Sequence, residues 1–173
     1  MCKEMDRIRK MNVEDASLIA GWQYPEPYDL YSMDGSEEDI AELLNGDYVS
    51  ARDDEGRLIG FYCTGISARV PGGYEAGIYD DNTLIDFGLG MKPKLTGQGQ
   101  GVRFVEEGMG YVQTVFPGRG MRLVVAAFNG RAIRVYEKIG FRSICSFTSL
   151  VNGVETEFIC MVNDNAQLAP NTP

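Results

Sequence analysis

Gly97, Gly99 and Gly101 stand two apart inside LIDFGLGMKPKLTGQGQGVRF, residues 84–104, between an alternating apolar run and the start of a helical pattern. Glycine admits backbone conformations that a side chain makes costly, and it lets amide N–H groups approach a ligand directly. A helix beginning just beyond adds unpaired donors and the positive end of its dipole, so this bend has the chemistry to seat a polyphosphate anion. Its spacing is not that of better-known loops. GxGxxG would need glycine where Phe104 stands, and the Walker pattern would need lysine then serine or threonine at Val102 and Arg103. A glycine-rich turn before a helix is equally a plain connection.

A second group of chemically able residues lies in FNGRAIRVYEKIGF, residues 128–141. Asn129 follows an apolar strand and can cap the next helix; Tyr136 comes seven residues later, two turns along the same face and about 10 Å away. Arg131, Arg134 and Lys138 recur at helical spacing, and Gly140 is a natural stop. Taken singly, Asn129 is a cap and Tyr136 a core aromatic; together, downstream of the glycine bend, they suggest the other wall of one ligand site. The chain has no histidine, which excludes Ser/His and Cys/His nucleophile systems and the commonest zinc ligand. Proton transfer is left to carboxylates, tyrosine, water or backbone. Cys2, Cys63, Cys145 and Cys160 form no CxxC pair, and three lie in strand-like runs, so buried free thiols are expected and no metal site.

Charge is divided along the chain. The total is 16 Lys+Arg against 25 Asp+Glu, net −9, which argues against nucleic acid or an anionic membrane as the main partner. From Met91 to Arg142, however, nine basic residues face three acidic ones, whereas residues 1–90 hold seven basic and nineteen acidic. Positive charge collects around the glycine bend, and the acidic half is suited to a cation.

The elements that must hold these residues alternate. With 173 residues, 44% of them hydrophobic, one globular domain with a substantial core is expected over 1–163, followed by a flexible tail over 164–173. A strand over Met5–Met11 precedes a helix from Val13 to about Trp22, capped by Asn12, and a helix near Glu37–Leu44, capped by Ser36. Strands follow at Asp47–Arg52 and Leu58–Ile66, joined by the hairpin chemistry of DDEGR, and then a long loop from Ala68 to Asn82. Leu84–Met91 reads as a strand, Gly101–Val115 as a helix, Met121–Phe128 as a strand and Arg131–Ile139 as a helix. Phe141–Val162 reads as two strands around Val151, Asn152 and Gly153. On the Leu84 strand, Ile85, Phe87, Leu89 and Met91 share one apolar face, leaving Asp86, Gly88 and Gly90 on a nearly bare one. That face has room for a ligand, or its glycines accommodate a neighbouring element. Gly108 and Gly110 each cost their helix about 1 kcal/mol against alanine, so close backbone packing is expected there. No apolar run of 18 residues occurs, and the start MCKEMDRIRK lacks a secretory apolar segment, so a cytoplasmic location is expected.

Met91 to Arg103, followed by Asn129, Ala132, Tyr136 and Gly140-Phe141, resembles the GNAT superfamily of acyl-CoA-dependent N-acyltransferases. The family's phosphate motif, Gln/Arg-x-x-Gly-x-Gly/Ala, falls on Thr96, Gly97, Gln98, Gly99, Gln100 and Gly101, with Thr96 in place of the usual first residue. The resemblance implies an α/β fold: a mixed, mostly antiparallel sheet of about seven strands flanked by about four helices. The implied order is strand, helix, helix, three strands, helix, strand, helix, two strands. It implies acetyl-CoA as co-substrate, its pyrophosphate on amides of Gly97 to Val102 and its pantetheine arm along Leu89, Gly90 and Met91, where the flanking strands splay. An N–H near Met91 would polarise the thioester carbonyl. Asn129 would contact the arm, Arg131 would be among the coenzyme contacts, and Tyr136 would protonate the departing thiolate.

The acceptor is expected to be a primary amine of a small molecule or peptide, attacking directly in a ternary complex. An ammonium with a pKa of about 10.4 must first lose a proton, which calls for a base or a water relay. Asp86 is the first candidate base and Glu75 the second; Asp86 has the alternative of anchoring a neighbouring arginine. Trp22, Tyr24, Tyr28 and Tyr31, interleaved with Glu26, Asp29 and Asp34, suit an aromatic, acidic mouth for a cationic amine, or a tyrosine-rich cover for the sheet. An acyl-enzyme on Cys63 or Cys145 is disfavoured for want of a base. A non-catalytic acyl-CoA-binding sensor or assembly module, and a nucleotide-phosphate binder, are the alternatives. Edge-strand pairing into a homodimer is open to such folds.

Overall fold

The computed structural model describes residues 7–164. In chain order its elements are β1 (Ile8–Lys10), α1 (Val13–Ala20), a 3-10 turn (Tyr28–Tyr31), α2 (Glu37–Leu43), β2 (Tyr48–Arg52) and β3 (Leu58–Thr64). A 3-10 turn (Gly65–Ala68), α3 (Pro71–Glu75), β4 (Ile85–Met91), a 3-10 turn (Pro93–Leu95) and α4 (Gly101–Val115) follow. The chain closes with β5 (Met121–Ala126), α5 (Gly130–Ile139), β6 (Arg142–Val151) and β7 (Val154–Asn163). The seven strands make one mixed sheet in the order β1-β2-β3-β4-β5-β7-β6. The expected strand start at Met5, Cys2, and the expected tail beyond Asp164 lie outside the described residues.

Two compact units are present. The first holds the described residues up to Cys63 together with Leu89–Gln98. Its strands are antiparallel, with Ile8 opposite Ala51 and Tyr48 opposite Cys63. Asn12 and Ser36 cap α1 and α2 by accepting from Asp15 N and Asp39 N, each satisfying an amide that the first helical turn leaves unpaired. Ala16, Ile19, Ala20, Leu43 and Tyr62 are buried. Asp15, also buried, accepts from the Arg52 guanidinium at 2.6 Å.

The second unit holds Thr64–Gly88 and Gly99 onward. Here β5 runs parallel to β4 and antiparallel to β7, and β6 pairs with β7 through a hairpin. Asn152 and Gly153 turn that hairpin at φ +51° and +79°, the left-handed conformations a tight two-residue turn needs. Phe87, Phe104, Val105, Val112, Met121, Leu123, Val125 and Met161 are buried.

The stretch expected as an unbroken loop, 68–82, contains α3. Two glycines hide that helix from a propensity reading, yet both are required by contact. A Cβ on Gly72 would lie 2.1 Å from the Thr148 carbonyl oxygen on β6, and one on Gly73 would lie 2.5 Å from the Tyr79 ring. Pro71 starts the helix at a position where a missing N–H is harmless. Of the α4 glycines, Gly108 is buried, whereas a Cβ on Gly110 would meet nothing within 4 Å, and nothing in the structure explains that residue.

Candidate active site

The glycine bend is built from a turn, two left-handed residues and a helix start. Thr96 Oγ1 donates to the Pro93 carbonyl at 2.7 Å and Gln98 Nε2 to the Lys94 carbonyl at 2.8 Å, so both polar side chains tie the turn to itself. Gly97 and Gly99 sit at φ +74° and +80°, where an L side chain is disfavoured by about 1–2 kcal/mol. α4 then begins without a side-chain cap, and its first helical hydrogen bond runs from Phe104 N to the Gln100 carbonyl. Among the described residues, the amides of Gly97 through Arg103 have no acceptor within the chain. Seven successive unpaired donors at the positive end of a 15-residue helix fit an anion of the pyrophosphate kind. The bend is exposed through Gln100, so such a ligand can reach it.

In the second unit the ladder between β4 and β5 is short. It pairs Ile85 with Met121 and Asp86 with Arg122, and among the described residues goes no further, although β5 continues to Ala126 fully paired with β7. α4 and α5 meet in the same unit: a Cβ on Gly101 would lie 3.2 Å from Val135 Cγ2, so glycine there lets the helix start approach the residue preceding Tyr136. Tyr136 is buried, with its ring edge-on to Phe141 at 5.9 Å. Asn129 caps α5 by accepting from Ala132 N at 3.2 Å, and Gly140 ends it at φ +113°. Arg131 is exposed on the first turn of α5.

The end of β4 belongs to the first unit, and there, of the two readings of the glycine face, the one in which a glycine accommodates a neighbouring element holds for Gly90. A Cβ on Gly90 would run into the Phe61 ring, which sits against that glycine. Gly90 therefore makes room for a core aromatic. Tyr24, read from the sequence as an acceptor contact, donates its hydroxyl to the Met91 carbonyl at 2.7 Å, and burial pushes its phenol pKa upward. It meets the Tyr31 ring edge-on at 6.4 Å. Trp22 and Tyr28 are half-buried, and Glu26, Asp29 and Asp34 are exposed. A hydrogen bond with Asp39 lowers Asp34 to about 2, and the same neighbour raises Asp39.

Asp86 lies at the centre of a buried ion cluster in the second unit. Arg122 Nε donates to Oδ1 at 2.6 Å, Arg122 Nη2 to Oδ2 at 3.1 Å, and Arg69 Nε to Oδ2 at 2.8 Å. Arg122 also donates to the Ile78 and Asp81 carbonyls, and both guanidinium groups stack on Tyr79 at 5.1 and 4.7 Å. Burial pushes the Tyr79 phenol up to about 12. With both oxygens engaged by cations, this carboxylate has the arrangement of the anchoring alternative. Arg69, Arg122 and Tyr79 were missed from sequence. The available signal was Arg122 itself, a charge inside the apolar run MRLVVA that demands a buried partner. Glu75 is exposed at the end of α3 and is not a partner of Asp86. Of the thiols expected to be buried, Cys63 and Cys160 are, whereas Cys145 is exposed on β6.

The family model "Acetyltransferase (GNAT) family" matches residues 11–141. The chain belongs to the GNAT family of acyl-CoA-dependent N-acetyltransferases. Among solved structures it is similar to a chimera of spermidine N-acetyltransferase SpeG from Vibrio cholerae and hSSAT, at 20% identity and TM-score 0.67, covering 94% of this chain and 98% of that one. A phosphinothricin acetyltransferase from Sinorhizobium meliloti in complex with AcCoA matches at 18% identity and TM-score 0.63, covering 90% and 86%. A GNAT-family acetyltransferase from Bacillus anthracis matches at 16% identity and TM-score 0.66, covering 90% and 92%. No curated protein matches the chain. Among the described residues no helix is long and apolar enough to cross a membrane.

Proposed function

We propose that the protein transfers the acetyl group of acetyl-CoA to a primary amine of a small molecule or peptide, by direct attack in a ternary complex. The observation that carries this reading is the row of unpaired amides from Gly97 to Arg103 at the start of α4. Amides of Gly97, Gln98, Gly99, Gln100, Gly101 and Val102 hold the pyrophosphate, backed by the turn that Thr96 closes. The arm follows the backbone of Leu89, Gly90 and Met91, with Asn129 and Arg131 at the start of α5 as further contacts. The bound coenzyme supplies an activated acetyl thioester. The N–H near Met91 polarises its carbonyl, and Tyr136 donates its phenolic proton to the sulfur that leaves.

Tyr24 acts on the same strand end by fixing the Met91 carbonyl, which gives it a positioning role in addition to lining the amine side with Trp22, Tyr28 and Tyr31. The amine loses its proton to a water relay or to the exposed carboxylate of Glu75; Asp86 anchors Arg69 and Arg122 instead. The acidic character of residues 22–47, eight acidic and no basic, suits a cationic acceptor. Free-thiol release from acetyl-CoA across a panel of small amines, polyamines and lysine-containing peptides tests the proposal. Turnover with at least one amine is expected. Coenzyme binding without turnover on any amine would support an acyl-CoA sensor, and thermal stabilisation by ATP equal to that by acetyl-CoA would remove the coenzyme assignment.

A further inference from the structure

Cys145 and Cys160 are register partners across the β6–β7 ladder, and acyl transfer uses neither. Residues directly opposed in antiparallel strands have Cα atoms about 4.5–5.5 Å apart, inside the roughly 4.4–6.8 Å that a disulfide spans. A register shift between Ser143 and Cys145 leaves Ile144 outside the ladder, so β6 is locally freer to adjust at this point. Both cysteines line one cleft of about 480 Å³ in the second unit, with Arg122, Arg142 and Val162. Cys145 is exposed, Cys160 is buried, and both are free thiols. Burial pushes the Cys160 thiol up to about 11.

We propose that Cys145 and Cys160 form a dithiol site that a peroxide closes reversibly into an intramolecular disulfide. The accessible Cys145 sulfur attacks the peroxide; the O–O bond breaks, the sulfur loses two electrons, and a sulfenic acid and one water (or alcohol) result. The Cys160 sulfur then displaces the sulfenic hydroxyl, which leaves as a second water with the thiol proton, and the S–S bond forms. A dithiol reductant returns both thiols by exchange.

The full chain treated with hydrogen peroxide, digested without reduction and analysed by mass spectrometry tests this directly. A cross-linked peptide joining Cys145 to Cys160 is expected, with the chain lighter by about 2 Da and restored by dithiothreitol. Cys145→Ser, a change at an exposed position, is expected to abolish the cross-link, and Cys160→Ser to leave Cys145 as a sulfenic acid captured by dimedone. A wild-type chain in which Cys145 is captured by dimedone or over-oxidised while Cys160 stays free overturns the proposal. So does a cross-link that runs instead through Cys2 or Cys63. Neither reading depends on how well Cys160→Ser folds, since the wild type and Cys145→Ser suffice.

Discussion

Replacing Asp86 by asparagine separates two roles for one carboxylate. Asparagine keeps the shape but removes the charge, and it turns an NH2 group toward one of two guanidinium groups. Three hydrogen bonds of 2.6–3.1 Å are at stake, and Arg122 is only 1% exposed, so water cannot replace the lost counter-charge. Breaking a buried ion pair by neutralising one partner costs about 3–5 kcal/mol. For a domain of this size each kcal/mol lowers Tm by about 2–4 °C, giving an expected fall of about 6–20 °C. Differential scanning calorimetry reads the loss, and thiol release measured well below the new Tm reads kcat, expected to stay within about threefold of wild type. A variant that melts within about 2 °C of wild type yet loses about a hundredfold in kcat would refute the anchoring role and restore Asp86 as the base.

Three further outcomes follow from the proposed site. Tyr136→Phe keeps the edge contact with Phe141 but has no proton to give, so kcat should fall about a hundredfold while calorimetry finds acetyl-CoA affinity unchanged; equal loss of both would make Tyr136 a packing residue. Gly99→Ala meets no atom within 4 Å, so its cost is purely the left-handed backbone, and acetyl-CoA should bind about tenfold more weakly by isothermal titration. Unchanged affinity would mean that the bend does not hold the coenzyme. Tyr24→Phe removes the 2.7 Å hydrogen bond to Met91, worth about 1 kcal/mol, and kcat/KM should drop about fivefold with little change in melting temperature; an unaltered kcat/KM would limit Tyr24 to covering the sheet.

Sequence alone determined what is local. Periodicity placed α4 over Gly101–Val115, Asn152-Gly153 gave the last hairpin, and the run of glycines leading into a helix marked the bend, because each signal is written in neighbouring residues. The family motif, too, is a contiguous pattern, legible without any tertiary contact, and it agrees with the family model over residues 11–141. Partners distant in the chain were decided only by the fold. Nothing near Asp86 in sequence says that Arg69 and Arg122 converge on it from 17 and 36 residues away, or that Phe61 occupies the space left by Gly90. α3 was invisible for the same reason: its glycines are poor helix formers, and only Ser149, Thr148 and Tyr79, brought in by the chain's return, make a helix there the lowest-energy choice. Tyr24 shows the division within one residue: its aromatic character was legible beside Trp22, whereas the Met91 carbonyl that its hydroxyl holds lies 67 residues on and meets it only in the folded chain.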